Sequence, residues 1–179
     1  MNISFIATGD SFITRQLPRD GYAGFQPLQE LIQKHDVGFN NLEMTFHNQE
    51  GYPAAVSGGT WAMTDPSMLD DIERYGFNLF NTANNHSGDF GAGGVMATIR
   101  HLQERSMLFA GTGASLYEAS KPVYLETPQG RVALIGITDS FDPAIAAGGD
   151  NGIVRPRPGL ITRCVIKRCS TSMLNTMKW

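Results

Sequence analysis

Four groups of polar residues stand directly after apolar, β-branched runs, and together they have the chemistry to hold divalent cations. Gly9, Asp10 and Ser11 follow the run 3–8. Asn40, Asn41 and Glu43 close the run 37–42. Asn84, Asn85, His86 and Asp89 follow 77–82, and Asp139 and Asp142 follow 131–138. Carboxylates and amides are hard oxygen donors, and joined by one imidazole they suit ions such as Mn, Fe, Zn or Mg. Singly, each has an ordinary reading. Asp10 could cap a turn after Gly9, Asn84 and Asn85 could be turn residues tolerant of left-handed backbone, and His86 and Glu43 could be solvated. Their coincidence at separate strand ends carries the cation reading. His35 reads as a helix-end residue, and His47 and His101 as surface residues.

The elements that must position these groups follow from periodicity. Residues 3–8, 37–42, 77–82 and 108–110 are short apolar runs bounded by Gly, Asp or Asn, which predicts buried strands. The spacing of Leu28, Leu31 and Ile32 predicts a helix over 25–34. A second helix opens at Asp65-Pro66 and runs to about Tyr75, and Val95, Ile99 and Leu102 share one face of a third over 94–105. Residues 45–59 read as loop, broken by Gly51, Pro53, Gly58 and Gly59. Thr127-Pro128-Gln129-Gly130 lies between the runs 122–126 and 131–138 as a hairpin turn. Alternating strands and helices followed by a hairpin predict an α/β fold with a mostly parallel sheet, in which ligands bind beyond the carboxyl ends of the strands.

Composition narrows the alternatives. The chain has 179 residues, 41% of them hydrophobic and 17% charged, which fits one globular domain and excludes disordered, collagen-like and coiled-coil chains. No stretch approaches the roughly 18 apolar residues of a membrane-spanning helix. The start lacks a cationic segment followed by an apolar core, so a cytoplasmic chain without a cleaved leader is expected. Net charge is −3, but residues 1–150 carry −9 and residues 151–179 carry +6, with six basic side chains and no acidic one. Cys164 and Cys169 also fall in that tail, at a spacing that matches no common zinc site. A basic tail can bind nucleic acid or anionic membrane, yet this one has neither interleaved aromatics nor amphipathic spacing, and no nucleic-acid partner is expected. The favoured reading is a domain over 1–160 and an unrelated, non-native tail over 161–179.

The polar residues also carry a resemblance. Ala7-Thr8-Gly9-Asp10, Asn41-Leu42-Glu43 and Asn84-Asn85-His86-Ser87-Gly88-Asp89-Phe90-Gly91 resemble three successive motifs of the CapA family. These are capsule or poly-γ-glutamate biosynthesis proteins with a calcineurin-like metallophosphoesterase fold. The resemblance covers about residues 3–160. It implies the N-terminal half of an α-β-β-α sandwich and metal-dependent hydrolysis of a phosphoester or poly-γ-glutamate-related substrate at a two-cation site. Asp10 would be a ligand, Glu43 the carboxylate touching both ions, and Asn85 a ligand through its amide oxygen. His86 would stabilise charge or donate a proton to the leaving oxygen, and Asp89 would orient it. Two cations roughly 3.5–4 Å apart clamp the attacking and departing oxygens, which is why the chemistry needs this set. The family's later His-Trp-Gly-type and Gly-His-His-Pro-His-type segments are not in the sequence. The expectation is therefore an incomplete site in a chain truncated after about residue 160, with exposed apolar surface and a tendency to self-associate. Membrane association of relatives would depend on segments this sequence lacks.

Three alternatives stand beside this reading. A truncated chain could bind metal without turnover. A serine esterase of the SGNH type could use Ser11, with Asn85 as an oxyanion donor, but needs a late Asp-x-x-His pair that the sequence lacks. A nucleotide-binding loop at Gly111-Thr112-Gly113 fails because Leu116 stands where the third glycine belongs, and that stretch reads better as a loop entering a short helix.

Overall fold

The structure, a computed structural model, describes residues 2–57, 59–139 and 143–163. The expectations for Asp142, the two cysteines and most of the basic tail fall outside the described residues.

The chain runs β1 (Phe5–Ser11), α1 (Phe25–Gln33), β2 (Val37–Leu42), β3 (Thr45–Phe46), β4 (Met63–Thr64), α2 (Met68–Arg74) and β5 (Leu79–Asn81). It continues with α3 (Gly91–Glu104), β6 (Phe109–Ala110), β7 (Thr112–Gly113), α4 (Leu116–Ala119), β8 (Val123–Thr127) and β9 (Gly130–Leu134). A short 3-10 turn, Pro143–Ile145, and β10 (Gly159–Leu160) follow. The strands read from the apolar runs form one sheet in the order β1-β2-β5-β6, parallel throughout. β8 and β9 form the expected antiparallel hairpin around Pro128 and Gln129. The fold is thus mixed α/β with a parallel central sheet, as the calcineurin-like expectation requires.

Burial explains the arrangement. Leu42 and Phe80 project from the sheet into a core made with Met44, Phe46, Leu69, Ile72, Leu102 and Met107. α3 contributes Val95, Ile99 and Leu102, whose spacing puts them on one buried stripe. Thr98 closes that stripe: its Oγ1 accepts the Phe46 amide at 2.9 Å and donates to the Gly94 carbonyl at 2.8 Å. Backbone pairing continues past β10, with the Arg163 amide donating to the Thr138 carbonyl at 2.8 Å.

Three local expectations are corrected. The first strand does not stop at Gly9-Asp10. It runs to Ser11 through a bulge, so that Ala7 pairs with Phe39 and Asp10 pairs with Asn41, leaving two residues opposite Asn40. The segment read as loop from residue 45 begins with β3, which pairs with β4 and brings residues 50–54 against the start of α3. That packing buries His47, which the sequence placed on the surface. It is 1% exposed, its Nδ1 accepts the Glu50 amide at 3.1 Å, and its ring meets Phe90 edge-on at 4.7 Å. Burial lowers its pKa below the usual 6.5, against the pull of nearby Glu50. His101 lies on α3 with its side chain largely covered, bonded to Glu104 at 3.0 Å, and His35 follows α1 as expected.

Candidate functional site

Parallel pairing lines up Asp10, Asn41 and Asn81 as register partners across β1, β2 and β5 at the carboxyl edge of the sheet. The bulge decides the first of these. In an unbroken strand successive side chains alternate faces, so Asp10 would lie opposite in face to Ala7, whose partner Phe39 shares a face with Asn41. One inserted residue reverses that parity and sets the Asp10 carboxylate beside the Asn41 amide. Asn40 fixes the bulge, its Nδ2 donating to Thr8 Oγ1 at 2.9 Å and to the Gly9 carbonyl at 3.2 Å.

Asn41 is the hub. Its Nδ2 donates to Asp10 Oδ1 at 2.8 Å and also to Glu43 Oε2, while its Oδ1 accepts from Asn81 Nδ2 at 2.7 Å and Asn84 Nδ2 at 3.3 Å. Two of the three residues expected to ligate, Asp10 and Glu43, are therefore gathered on one amide. Glu43 feels the crowding: burial first, and then the Asp10 charge, raise its pKa above the ordinary 4.5, while His86 and Asn41 pull the other way. A closely bound cation is the natural relief for two carboxylates held this near to one another.

The Asn-Asn-His turn supplies the other groups. Asn84 is buried and ties the turn to β2, its Nδ2 donating to the Leu42 carbonyl at 2.7 Å and its Oδ1 accepting the His86 amide at 3.1 Å. Asn85 lies exposed on the turn between them. His86 Nδ1 bonds Asp89 Oδ2 at 2.8 Å, and Asp89, 4% exposed, also accepts the Ala62 amide at 2.6 Å. A carboxylate accepts, so Nδ1 carries a proton, and Nε2 is the ring nitrogen not used in this contact. Asp89 is thus a support for the imidazole, and the Phe12 ring stands edge-on to His86 at 5.8 Å.

Among the described residues no cluster of three His, Cys, Asp or Glu side chains forms a ready-made cation cage. The hard oxygen donors gathered here are the two carboxylates; the amide oxygens of Asn41, Asn81 and Asn84 are each engaged in hydrogen bonds within the network. Ser11 lies at the same edge, its carbonyl accepting the Glu43 amide at 3.2 Å, but no imidazole is bonded to its hydroxyl among the described residues. Asn81 carried no assignment from the sequence. Its signal was available only as a third strand ending in Asp or Asn. Gly136 also escaped notice: a methyl group there would overlap Asn81 Oδ1 and lie 2.5 Å from the Ala110 carbonyl oxygen, so the chain can cross the sheet edge at this point only as glycine.

Known proteins resemble the chain over most of its length. Two uncharacterized proteins of Sinorhizobium fredii, y4sH and y4uA, are each 36% identical to the chain over 160 residues, which is 88% of this chain and 35% of theirs. The capsule biosynthesis protein CapA of Bacillus anthracis is 32% identical over 97 residues, 54% of this chain and 24% of its own length. The PGA biosynthesis protein CapA of Bacillus subtilis is 26% identical over 124 residues, 69% and 32%. The chain thus spans about a third or less of the length of these curated relatives. The model of the family described as bacterial capsule synthesis protein PGA_cap matches residues 4–158. With that match covering most of the chain and all three polar motifs, the chain belongs to the bacterial capsule synthesis protein family.

Proposed function

We propose that this chain carries a divalent-cation site for phosphoester hydrolysis, serving capsule or poly-γ-glutamate production as the relatives' names suggest. The observation that carries the proposal is the convergence of Asp10 and Glu43 on the Asn41 amide. Asp10, Glu43 and the exposed Asn85 would hold Mn, Fe, Zn or Mg, two ions where the full family site is present. Such ions supply Lewis-acid polarisation of a phosphoryl oxygen and an acidified water.

The chain's own residues do the rest. Asn41 keeps both carboxylates at one spot, so binding does not have to order them first. Asp89 holds His86 through Nδ1, so that a proton carried on Nε2 could pass to the departing oxygen. Phe12 packs against that imidazole in a T-shaped contact. A substrate phosphoester would sit over the rim between Asp10 and His86.

The test is calorimetry with Mn²⁺ beside hydrolysis of bis(4-nitrophenyl) phosphate. Asp10→Ala and Asn85→Ala should each weaken Mn²⁺ binding, and His86→Ala should cut turnover by about 10²–10⁴-fold while changing affinity little. Unchanged affinity in both ligand variants overturns the assignment. A second reading, metal binding without turnover, is favoured by the absence, among the described residues, of any group of three His, Cys, Asp or Glu side chains that could hold an ion. Tight Mn²⁺ binding with no hydrolysis would select it.

A further inference from the structure

A cleft of about 360 Å³ continues from the cation rim, between the end of β1, α1 and the turn after α2. Asp10, the carboxylate bonded to Asn41, lines it. So does Phe12, whose ring meets His86 edge-on at 5.8 Å. Ile13, Leu28, Tyr75 and Phe77 complete an apolar wall. The volume lies within the range of small-ligand pockets, and apolar walls beside a few polar groups are their usual lining.

The walls are held by contacts of their own. The Tyr75 ring lies against Phe25 at 5.0 Å and Phe77 at 6.1 Å, and its hydroxyl is hydrogen-bonded to that of Tyr22 at 3.2 Å. The segment that follows Ile13 is tied to α2. The Leu17 amide donates to Asp71 Oδ2 at 2.8 Å, and Arg74 donates to the Pro18 and Arg19 carbonyls at 3.0 Å each. A site built in advance does not charge its ordering against binding. Charge narrows the occupant. Among the described residues that line the cleft none is Lys, Arg or His. An anionic group would meet the Asp10 carboxylate there with no cationic side chain to balance it. A neutral ring would instead cover Phe12, which is 46% exposed.

We infer that this cleft receives the organic part of the phosphoester, and that this part is a compact, uncharged ring. The inference rests on the hydrolytic reading above: with the phosphoryl group at Asp10 and Glu43, the esterified group enters beside Phe12 and packs on Leu28 and Phe77. Acidic organic groups are disfavoured in the same place.

Phenylphosphonate and methylphosphonate share a phosphoryl head and differ in the ring. Calorimetry on the full chain with Mn²⁺ should show phenylphosphonate binding roughly 10–50-fold tighter, the effect of two or three buried methylene equivalents. Leu28→Trp should fill the cleft and remove that preference while Mn²⁺ and methylphosphonate affinities stay unchanged, with circular dichroism confirming the fold. If the variant does not fold, the two phosphonates on the unaltered chain still decide. Equal affinities would overturn the subsite and leave the cation reading standing. Benzyl alcohol in EDTA separates the opposite failure. Followed by ¹⁵N–¹H NMR, it should give saturable shifts at the Phe12, Ile13 and Leu28 amides without metal. Saturation in a chain that binds no Mn²⁺ would sustain the apolar subsite while the cation reading falls, and absence of saturable shifts would overturn the subsite.

Discussion

Asn81 Nδ2 donates to Asn41 Oδ1 at 2.7 Å across adjacent parallel strands, at positions that are register partners. Because Oδ1 is held there, Nδ2 is obliged to face Asp10 and Glu43. One amide of β5 thereby fixes the orientation of two carboxylates it does not touch.

Asn41→Ala removes the hub and should weaken Mn²⁺ affinity by about 10–100-fold, the usual effect of losing a group that orients ligands. Far-ultraviolet circular dichroism should stay close to that of the unaltered chain. Calorimetry on the two proteins checks it, and equal affinities would show that the carboxylates gather without the amide.

Gly136→Ala should reach the same hub from the other side. The added methyl must displace Asn81 or the Ala110 carbonyl, and overpacking of this kind costs about 1–3 kcal/mol. Urea unfolding should show a lower midpoint with the same slope, together with weaker Mn²⁺ binding. A midpoint equal to that of the unaltered chain removes the contact from the account.

His47 predicts a pH dependence of stability. Its folded pKa lies below the unfolded value of 6.5, so on acidification the unfolded chain takes up the proton first. The stability contribution is complete above about pH 6.5 and is lost progressively as pH falls through that value toward the folded pKa. Glu50 and His101 face the ring and act in opposite directions on it. Denaturant melts at pH 7.5 and 5.5 should show a smaller pH-dependent loss in His47→Gln than in the unaltered chain; parallel losses would exclude His47 as the source.

Phe5 predicts self-association. It is 50% exposed, stacks on Phe39 at 6.4 Å, and sits on β1, an edge of the four-stranded sheet in a stretch, 3–9, without a charge. Uncharged apolar edges invite pairing with another copy. Sedimentation velocity should show concentration-dependent association that Phe5→Lys suppresses. A monodisperse monomer at all concentrations would remove the edge from consideration.

Much of the fold was legible because burial writes itself into the sequence. Val37–Leu42 is a strand at the predicted bounds, α1 differs from its prediction by one residue, and the hairpin turns where Pro128 and Gln129 require it. The short strands β3, β4, β7 and β10 were not legible, since two residues carry no period. His47 was misread for a related reason. Its burial comes from β3 pairing with β4 some 18 residues away, and nothing adjacent to it in the chain signals that pairing.

The sequence by itself determined which polar residues end which strands, and so which groups could meet at one edge. Only the tertiary structure decided that they do. The bulge in β1 reverses the parity of a single strand and turns Asp10 toward Asn41. The amides of Asn41, Asn81 and Asn84 then close a network between residues 31 to 43 positions apart. A shift of one residue in register moves a side chain to the other face of a sheet, and register is set by packing between strands, which no local pattern records.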